Sequence, residues 1–150
     1  METLTKLEPQ LDPNQASHAA IIHISAFSSL IGIPLGSIVG PLITWLIWRD
    51  QSKFADENGK EAINFNLSIL LYQFLVVTIG LIMFLSPILN ISATDKSGQL
   101  GMILSLPGLW LFLTGIGLLS LIRIVLVLVA TIKAGNGEMF RYPLTIRLIK

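Results

Sequence analysis

The feature that most constrains the fold of this chain is the length of its charge-free stretches. No Asp, Glu, Lys or Arg occurs in residues 13–48 or in residues 62–94, and residues 97–134 contain only Arg123 and Lys133. A helix needs about 20 mostly apolar residues to cross the ~30 Å hydrocarbon core of a bilayer, and each stretch is long enough. Because lipid offers no hydrogen-bonding partners, backbone amides must be satisfied within their own segment, which favours helices.

The composition also indicates a membrane environment. Of the 150 residues, 53% are apolar and 13% are charged, about half the charged fraction of an ordinary soluble domain. The mean hydropathy is +0.74. The apolar runs do not alternate with polar residues as the strands of a membrane barrel do. We therefore predict an all-α integral membrane protein built as a bundle of three membrane segments.

The first membrane segment, residues 17–49, is too long for one upright crossing. It is broken at residues 32–36, where Pro34 removes a hydrogen-bond donor and the flanking glycines soften the helix. This break leaves two geometries open. We favour one long kinked helix that crosses once. The alternative is a fold of four helices, with a hairpin at the break whose two ends lie on the same side of the membrane.

The other two segments have recognisable ends. Segment two is predicted to begin at Asn58-Gly-Lys-Glu61, which has the capping-box pattern, and to run to about Ile88. Segment three is predicted to run from near Pro107 to Lys133, just before two glycines of the kind that often end helices.

The polar ends set the domain limits and the orientation. We expect residues 1–16 to be a disordered polar lead, and residues 17–150 to be a single transmembrane helical domain. The 49–61 loop carries three Lys or Arg residues and the tail, residues 133–150, carries four, against one in residues 89–99. Lys and Arg accumulate in cytoplasmic loops. The 49–61 loop and the basic C-terminal tail are therefore both predicted to be cytoplasmic, while the side of the N-terminus depends on the first segment.

Arg123 is the most informative single residue, because it lies near the middle of segment three. A charge at mid-membrane costs about 2.5–3.5 kcal/mol on insertion scales, so it usually faces protein or water. Candidate partners on the antiparallel segment two are Asn64, Asn66 and Gln73. The functional interpretation is an intramembrane polar site. The structural interpretation, which we favour, is an arginine that reaches the headgroups or is satisfied by these amides.

Gly32, Gly36 and Gly40 recur at every fourth position, and such a strip lets two helices approach closely. Packing within the chain is the preferred explanation, and contact with a second protomer or another membrane protein is the alternative. His18 and His23 are badly spaced for a metal pair on a helix. The chain has no cysteine, and it shows no phosphate-binding loop, nucleophile motif or paired carboxylates within a span. We therefore predict no enzymatic activity, cofactor or metal, and the net charge of +1 argues against nucleic-acid binding.

Three sequence blocks taken together resemble a known family: residues 23–50, 59–66 and 130–150. They are similar to the small bacterial membrane proteins called Tic-twenty-like, after the chloroplast inner-envelope import component. The resemblance implies a plasma-membrane or thylakoid protein of a bacterium, and the plastid relative implies a role in protein translocation. Asn66 and Arg123 depart from the family pattern. The matching positions are His23, Pro34, Gly36, Gly40, Pro41, Trp45, Lys60, Glu61, Asn64, Phe65, Lys133, Gly137, Glu138, Arg141, Tyr142 and Pro143.

Two functional hypotheses follow from these patterns. The first is a small non-enzymatic accessory or scaffold subunit of a membrane protein complex, in contact with the lipid bilayer and with other membrane subunits or copies of itself. It depends on the small size of the chain, its short loops and its close-packing glycines. The alternative is a small transporter or channel protomer with a polar site around Arg123, because interrupted helices often build such sites.

Overall fold

The computed structural model describes residues 12–32, 35–89 and 98–150, apart from the side chains of residues 87–89 and 98–102. The described elements are helices α1 (Pro13–Ile24), α2 (Gly36–Trp48), α3 (Lys53–Leu89) and α4 (Gly98–Gly135), with a 3₁₀ helix, Ser25–Ile31, directly after α1. No strand occurs in these ranges, and the predicted all-α class is confirmed. Pro34 and most of the predicted N-terminal lead lie outside the described residues.

The first predicted membrane segment folds as a helical hairpin. The ring of His18 on α1 stacks on Trp48 at the end of α2, with centroids 4.5 Å apart. Nearer the tip, Ser25 Oγ lies 3.2 Å from Thr44 Oγ1. The favoured single kinked crossing is therefore replaced by the hairpin alternative. The physical reason lies in the backbone at the break, where Gly32 and Leu35 both adopt left-handed conformations that end one helix and begin the next. Helix α2 then packs against α1 and the 3₁₀ helix instead of continuing the same helix.

Close approach of the two hairpin arms depends on glycine. A Cβ atom at Gly36 would collide with the backbone of Ser28, and one at Gly40 would collide with the carbonyl group of Ser25. Ser28 Oγ also donates a hydrogen bond to the carbonyl oxygen of Gly36 at 2.6 Å. At the tip, Gly32 adopts a φ of 83°, a left-handed conformation that glycine accepts without steric cost. Gly36 and Gly40 thus lie between two arms of one chain, whereas no described atom lies within 4 Å of a Cβ position at Gly32.

Helix α3 begins at Lys53, before the predicted capping box at Asn58. Ser52 caps it, because its Oγ accepts a hydrogen bond from the backbone N–H of Ala55 at 3.0 Å. Asn58 therefore lies inside the helix, where its side chain donates to the carbonyl oxygen of Phe54 at 2.8 Å.

Helix α4 begins at Gly98, upstream of the predicted start near Pro107, and this proline lies inside the helix. The C-terminal end of α4 lies at the two glycines that were predicted to end it. The helix ends at Gly135, and Gly137 adopts a φ of 78° while its N–H donates to the carbonyl oxygen of Ala134 at 3.0 Å. This left-handed cap satisfies carbonyl groups of the last turn and sends the chain back as an irregular tail, residues 138–150.

The chain divides into two compact units. One comprises Met1–Asn66 and Leu126–Lys150, and the other comprises Leu67–Val125. The second unit contains the C-terminal part of α3 and the N-terminal part of α4, and many of its large apolar side chains are exposed. Two helical stretches, Lys53–Ser86 and Ile103–Gly135, are long and apolar enough to span a membrane.

Candidate functional site

Residues 61–66 of α3 are enclosed on all faces of the helix within the first unit. All six residues from Glu61 to Asn66 are buried, although a helix at a protein surface normally buries only one stripe. The hairpin packs Ile22 and Trp45 around Ala62 and Ile63. The tail bonds Glu61 and Asn64 and stacks on Phe65. Several of the buried side chains are polar, so hydrogen bonding must satisfy them. Block 59–66 of the sequence is therefore the core of this unit.

A buried hydrogen-bonded chain of three side chains joins the hairpin, α3 and the tail. His23 Nε2 lies 3.0 Å from Asn58 Oδ1, and Tyr142 Oη lies 2.9 Å from His23 Nδ1. Because Asn58 Oδ1 can only accept, His23 Nε2 carries the proton and donates to it. His23 Nδ1 then accepts from the tyrosine hydroxyl group. Both ring nitrogens of this fully buried histidine thus have a partner.

Burial keeps the side chains of His23 and Tyr142 uncharged. Burial lowers the pKa of His23 from 6.5 to about 4, although the hydrogen bond to Asn58 opposes the shift. Burial also raises the pKa of the Tyr142 hydroxyl group, and the negative charge of Glu61 adds to that effect. Both side chains are therefore neutral near pH 7. The arrangement suits a structural connection, since neither group gains or loses a proton readily at that pH.

Aromatic packing holds the same tyrosine from two other directions. The ring of Tyr142 lies parallel to that of Phe65 on α3, with centroids 4.0 Å apart. Phe140 meets it edge-on at 5.1 Å. Such pairs contribute about 0.5–1.5 kcal/mol each beyond the burial of apolar area. Tyr142 is consequently the side chain that anchors the first half of the tail.

Asn64 anchors the second half of the tail through the backbone. Its Nδ2 donates to the carbonyl oxygen of Ile149 at 2.9 Å, and its Oδ1 accepts from the N–H groups of Leu148 and Ile149 at 3.1 and 2.9 Å. Arg147 Nε adds a hydrogen bond to Glu61 Oε1 at 3.2 Å. The other oxygen, Glu61 Oε2, is buried and accepts no hydrogen bond from the described residues.

Trp45 connects the hairpin to α3. Its Nε1 donates to Asp56 Oδ1 at 2.9 Å, while Asp56 Oδ2 pairs with Lys60 Nζ at 2.6 Å. The indole ring lies directly against Gly59, where a Cβ atom would overlap it. The guanidinium group of Arg49 lies 5.4 Å from the centroid of the indole ring. Lys60, Gly59 and Trp45 thus belong to one contact.

The residues predicted to form an intramembrane polar site fall in different units. Asn64 and Asn66 belong to the first unit, where Asn66 Nδ2 donates to the backbone of the preceding turn at 2.8 Å. Gln73 and Arg123 belong to the second. There Gln73 Nε2 donates to Ser120 Oγ at 3.4 Å, and the half-buried Arg123 lies about one turn further along α4.

The remaining positions of the sequence pattern have varied roles. Lys133 pairs with Glu138 across the helix end, with Nζ and Oε2 3.4 Å apart. Pro41 is buried in α2, and Pro143 is exposed in the tail. Arg141 is exposed and forms no ion pair with a described residue.

No group of three or more His, Asp or Glu side chains in the described part of the chain could hold a metal ion.

Sequence reasoning missed the role of Asn58. The capping-box pattern explained this residue locally, so its contact with the hairpin was not expected. A usable signal exists in the spacing, because Asn58, Glu61 and Phe65 lie at positions i, i+3 and i+7, the spacing of one helix face. Such a face in a membrane protein needs protein partners, which the hairpin and tail provide.

Comparison with known proteins identifies the family. A family model matches residues 14–149, which include the hairpin, both long helices and nearly the whole tail. No curated protein and no solved structure matches the chain. The resemblance to the Tic-twenty-like proteins is wrong, because the matched family covers the same sequence blocks, and the expected thylakoid placement and role in protein translocation lose their support with it. The chain belongs to the MamF/MmsF family, the magnetosome magnetite crystal formation protein family.

Proposed function

We propose that this chain is a non-enzymatic accessory or scaffold subunit of the magnetosome membrane that acts in magnetite crystal formation. The observation that carries the proposal is the family match over residues 14–149. The family is described by crystal formation and not by a chemical reaction. The hydrogen-bonded core of the first unit agrees with a structural role, since its side chains bind one another and the backbone of the tail.

In this proposal α3 and α4 cross the membrane and the hairpin enters only one leaflet. The hairpin tip is strongly apolar and exposed, with Leu30, Ile31 and Leu35 at 68%, 80% and 60% exposure. Residues 13–48 carry no Asp, Glu, Lys or Arg. Helix α2, which sets the length over which the two arms pack, has 13 residues and is about 20 Å long. This is shorter than the ~30 Å hydrocarbon core. A hairpin of this length can bury its tip in lipid while both ends remain at one surface.

We further propose that the N-terminus, the 49–61 loop and the tail share the cytoplasmic side. Trp45 joins the hairpin to Asp56, and Asn64 joins α3 to Ile149, so these parts are neighbours in one compact unit. The 49–61 loop and the tail carry seven Lys and Arg residues between them, against one in residues 89–99, and this excess favours the cytoplasm for that side.

Single-cysteine labelling tests the arrangement, since the natural chain contains no cysteine. Asn14→Cys, Gln51→Cys and Lys150→Cys place a thiol at exposed positions. A membrane-impermeant maleimide should label none of them in spheroplasts and all of them after permeabilisation. If only Asn14→Cys were labelled in intact spheroplasts, the result would instead support a single kinked crossing. Lys96→Cys is the positive control, because in this proposal the sequence between α3 and α4 lies on the opposite side.

A complementation experiment tests the function. In a magnetite-forming bacterium, deletion of the gene for this chain should change crystal size or number in electron micrographs, and the wild-type chain should restore them. Arg123→Leu should restore them equally, because a scaffold does not need the intramembrane charge. Normal crystals after deletion would contradict the proposal. Failure of an Arg123→Leu chain that accumulates normally would favour the transporter alternative.

Crosslinking tests whether the chain associates with other membrane proteins or with itself. Chemical crosslinking in native membranes, followed by purification in mild detergent, should recover further membrane chains or a second copy of this chain. An isolated monomer under all crosslinking conditions would contradict a scaffold role.

A further inference from the structure

The first unit contains a cavity of about 260 Å³ between the start of α3 and the tail. Pockets for drug-sized ligands measure about 300–1,000 Å³, so this one suits a smaller group. Its charged lining residues are Glu57, Lys60, Glu61, Arg141, Arg147 and Lys150. Four of these side chains are cationic and two are carboxylates, which leaves a surplus of two positive charges in the wall.

The internal ion pairs account for both carboxylates. Glu57 Oε1 pairs with Lys53 Nζ at 3.8 Å, and Glu61 Oε1 pairs with Arg147 Nε at 3.2 Å. Arg141 and Lys150 form no ion pair with a described residue and are exposed. The cavity thus presents two cations without a carboxylate partner, a setting that attracts an anion.

Glu61 does not supply a partner for these two cations. Its side chain is about nine-tenths buried in the wall of the cavity, its Oε1 pairs with Arg147, and its Oε2 is enclosed by protein. A group that suits this cavity therefore carries a negative charge for Arg141 and Lys150.

The position of the cavity indicates which molecule supplies such a group. The lining residues of α3 lie at residues 57–64, where the charge-free run of that helix begins at Ala62. In the membrane setting proposed above, on which this step rests, the cavity lies at the level of the lipid headgroups. A phosphodiester is the anionic group that glycerophospholipids carry at this level.

We propose that this cavity binds a phospholipid headgroup, with the phosphate at Arg141 and Lys150. Phosphatidylglycerol meets this description, because the phosphate is its only charged group. Phosphatidylcholine carries the same phosphate, but its quaternary ammonium adds a positive charge beside the two cations. The site therefore discriminates between an anionic headgroup and a zwitterionic one.

Native mass spectrometry of the full chain in a neutral detergent tests the site. The delipidated protein is mixed with equimolar phosphatidylglycerol and phosphatidylcholine, and retained lipid is counted. The wild-type chain should retain phosphatidylglycerol about tenfold better, the ratio expected for two cations at a membrane surface. Equal retention of the two lipids would overturn the charge assignment.

A double variant and a charge-matched control test the two cations of the site. Arg141→Gln with Lys150→Gln should reduce retention of both lipids about tenfold or more. Both side chains are exposed, so the variant should keep the wild-type unfolding midpoint. Arg49→Gln with Lys133→Gln removes the same charge away from the cavity and should retain lipid normally. Equal loss in both double variants would reduce the effect to net charge and overturn the site.

Soluble competitors separate a lipid site from a free-phosphate site. Inorganic phosphate and glycerophosphoethanolamine at millimolar concentration should displace little bound lipid, because they lack acyl chains that hold the headgroup at the surface. Complete displacement by inorganic phosphate would assign the cavity to a soluble anion. Aqueous behaviour of the whole chain without detergent would instead contradict the membrane setting, so the two failures are distinguishable.

Discussion

The hydroxyl group of Tyr142 lies 2.9 Å from Nδ1 of His23, although the two residues are 119 positions apart. The same histidine bonds Asn58 through its other nitrogen. One imidazole ring therefore connects the hairpin, the start of α3 and the tail. This connection lies in a fully buried environment, where losing one partner leaves the other without water to replace it.

Tyr142→Phe should lower the free energy of unfolding by about 1–3 kcal/mol, because Nδ1 of His23 loses its donor in a buried site. The ring contact with Phe65 stays intact in this variant. Tyr142→Leu should cost more, since it also removes the stacked ring. Denaturant unfolding in a fixed detergent, followed by near-ultraviolet circular dichroism, measures both. A Tyr142→Phe chain as stable as the wild type would show that the hydrogen bond contributes little.

The stability of the first unit should fall as the pH is lowered from about 6.5 to about 4. Folding lowers the pKa of His23 to about 4, while an unfolded histidine has a pKa of about 6.5. The unfolded chain therefore binds the extra proton in this window, and the contribution is complete above pH 6.5. The full difference corresponds to about 3 kcal/mol.

Unfolding midpoints at pH 7.5 and pH 5 check this dependence. His23→Gln should have a shallower slope between the two pH values, and His18→Gln is the matched control that should keep the wild-type slope. An unchanged slope in His23→Gln would assign the pH dependence to other groups.

Gly40→Ala should destabilise the hairpin by about 1–3 kcal/mol, the usual cost of overpacking. The new Cβ atom would collide with the backbone carbonyl group of Ser25, which cannot rotate away. Gly117→Ala is the matched control, because nothing lies within 4 Å of its Cβ position. That change should be neutral or slightly stabilising, since alanine has the higher helix propensity. Thermal unfolding in detergent compares the two, and similar midpoints would argue against the close contact.

Asn64→Ala should release the end of the tail. The change removes three hydrogen bonds to the backbone of Leu148 and Ile149, so local opening becomes easier by about 2–3 kcal/mol. Trypsin should then cleave after Arg147 at least about tenfold faster, as measured by mass spectrometry. Asn66→Ala is the control, because Asn66 bonds the backbone of its own helix. Equal cleavage rates in the two variants would contradict the anchoring role of Asn64.

The sequence predicted the long helices better than their contacts. The charge-free runs identified α3 and α4, because hydrocarbon imposes length and apolarity on any helix that crosses it. Gly135 and Gly137 marked the end of α4 through local backbone chemistry. The start of α3 was predicted too late, since the capping-box pattern at Asn58 competes with the Ser52 cap and propensity alone does not decide between them.

By itself, therefore, the sequence determined an all-helical chain with two long apolar helices and a break after Ile31. Only the tertiary structure decided that the break is a hairpin and that Asn58, Asn64 and Tyr142 meet around the start of α3. The physical reason is the distance along the sequence over which each kind of interaction acts. Hydropathy and caps act over a few residues, whereas the direction of the chain after Gly32 and the partners of a buried amide depend on contacts between residues up to 119 positions apart.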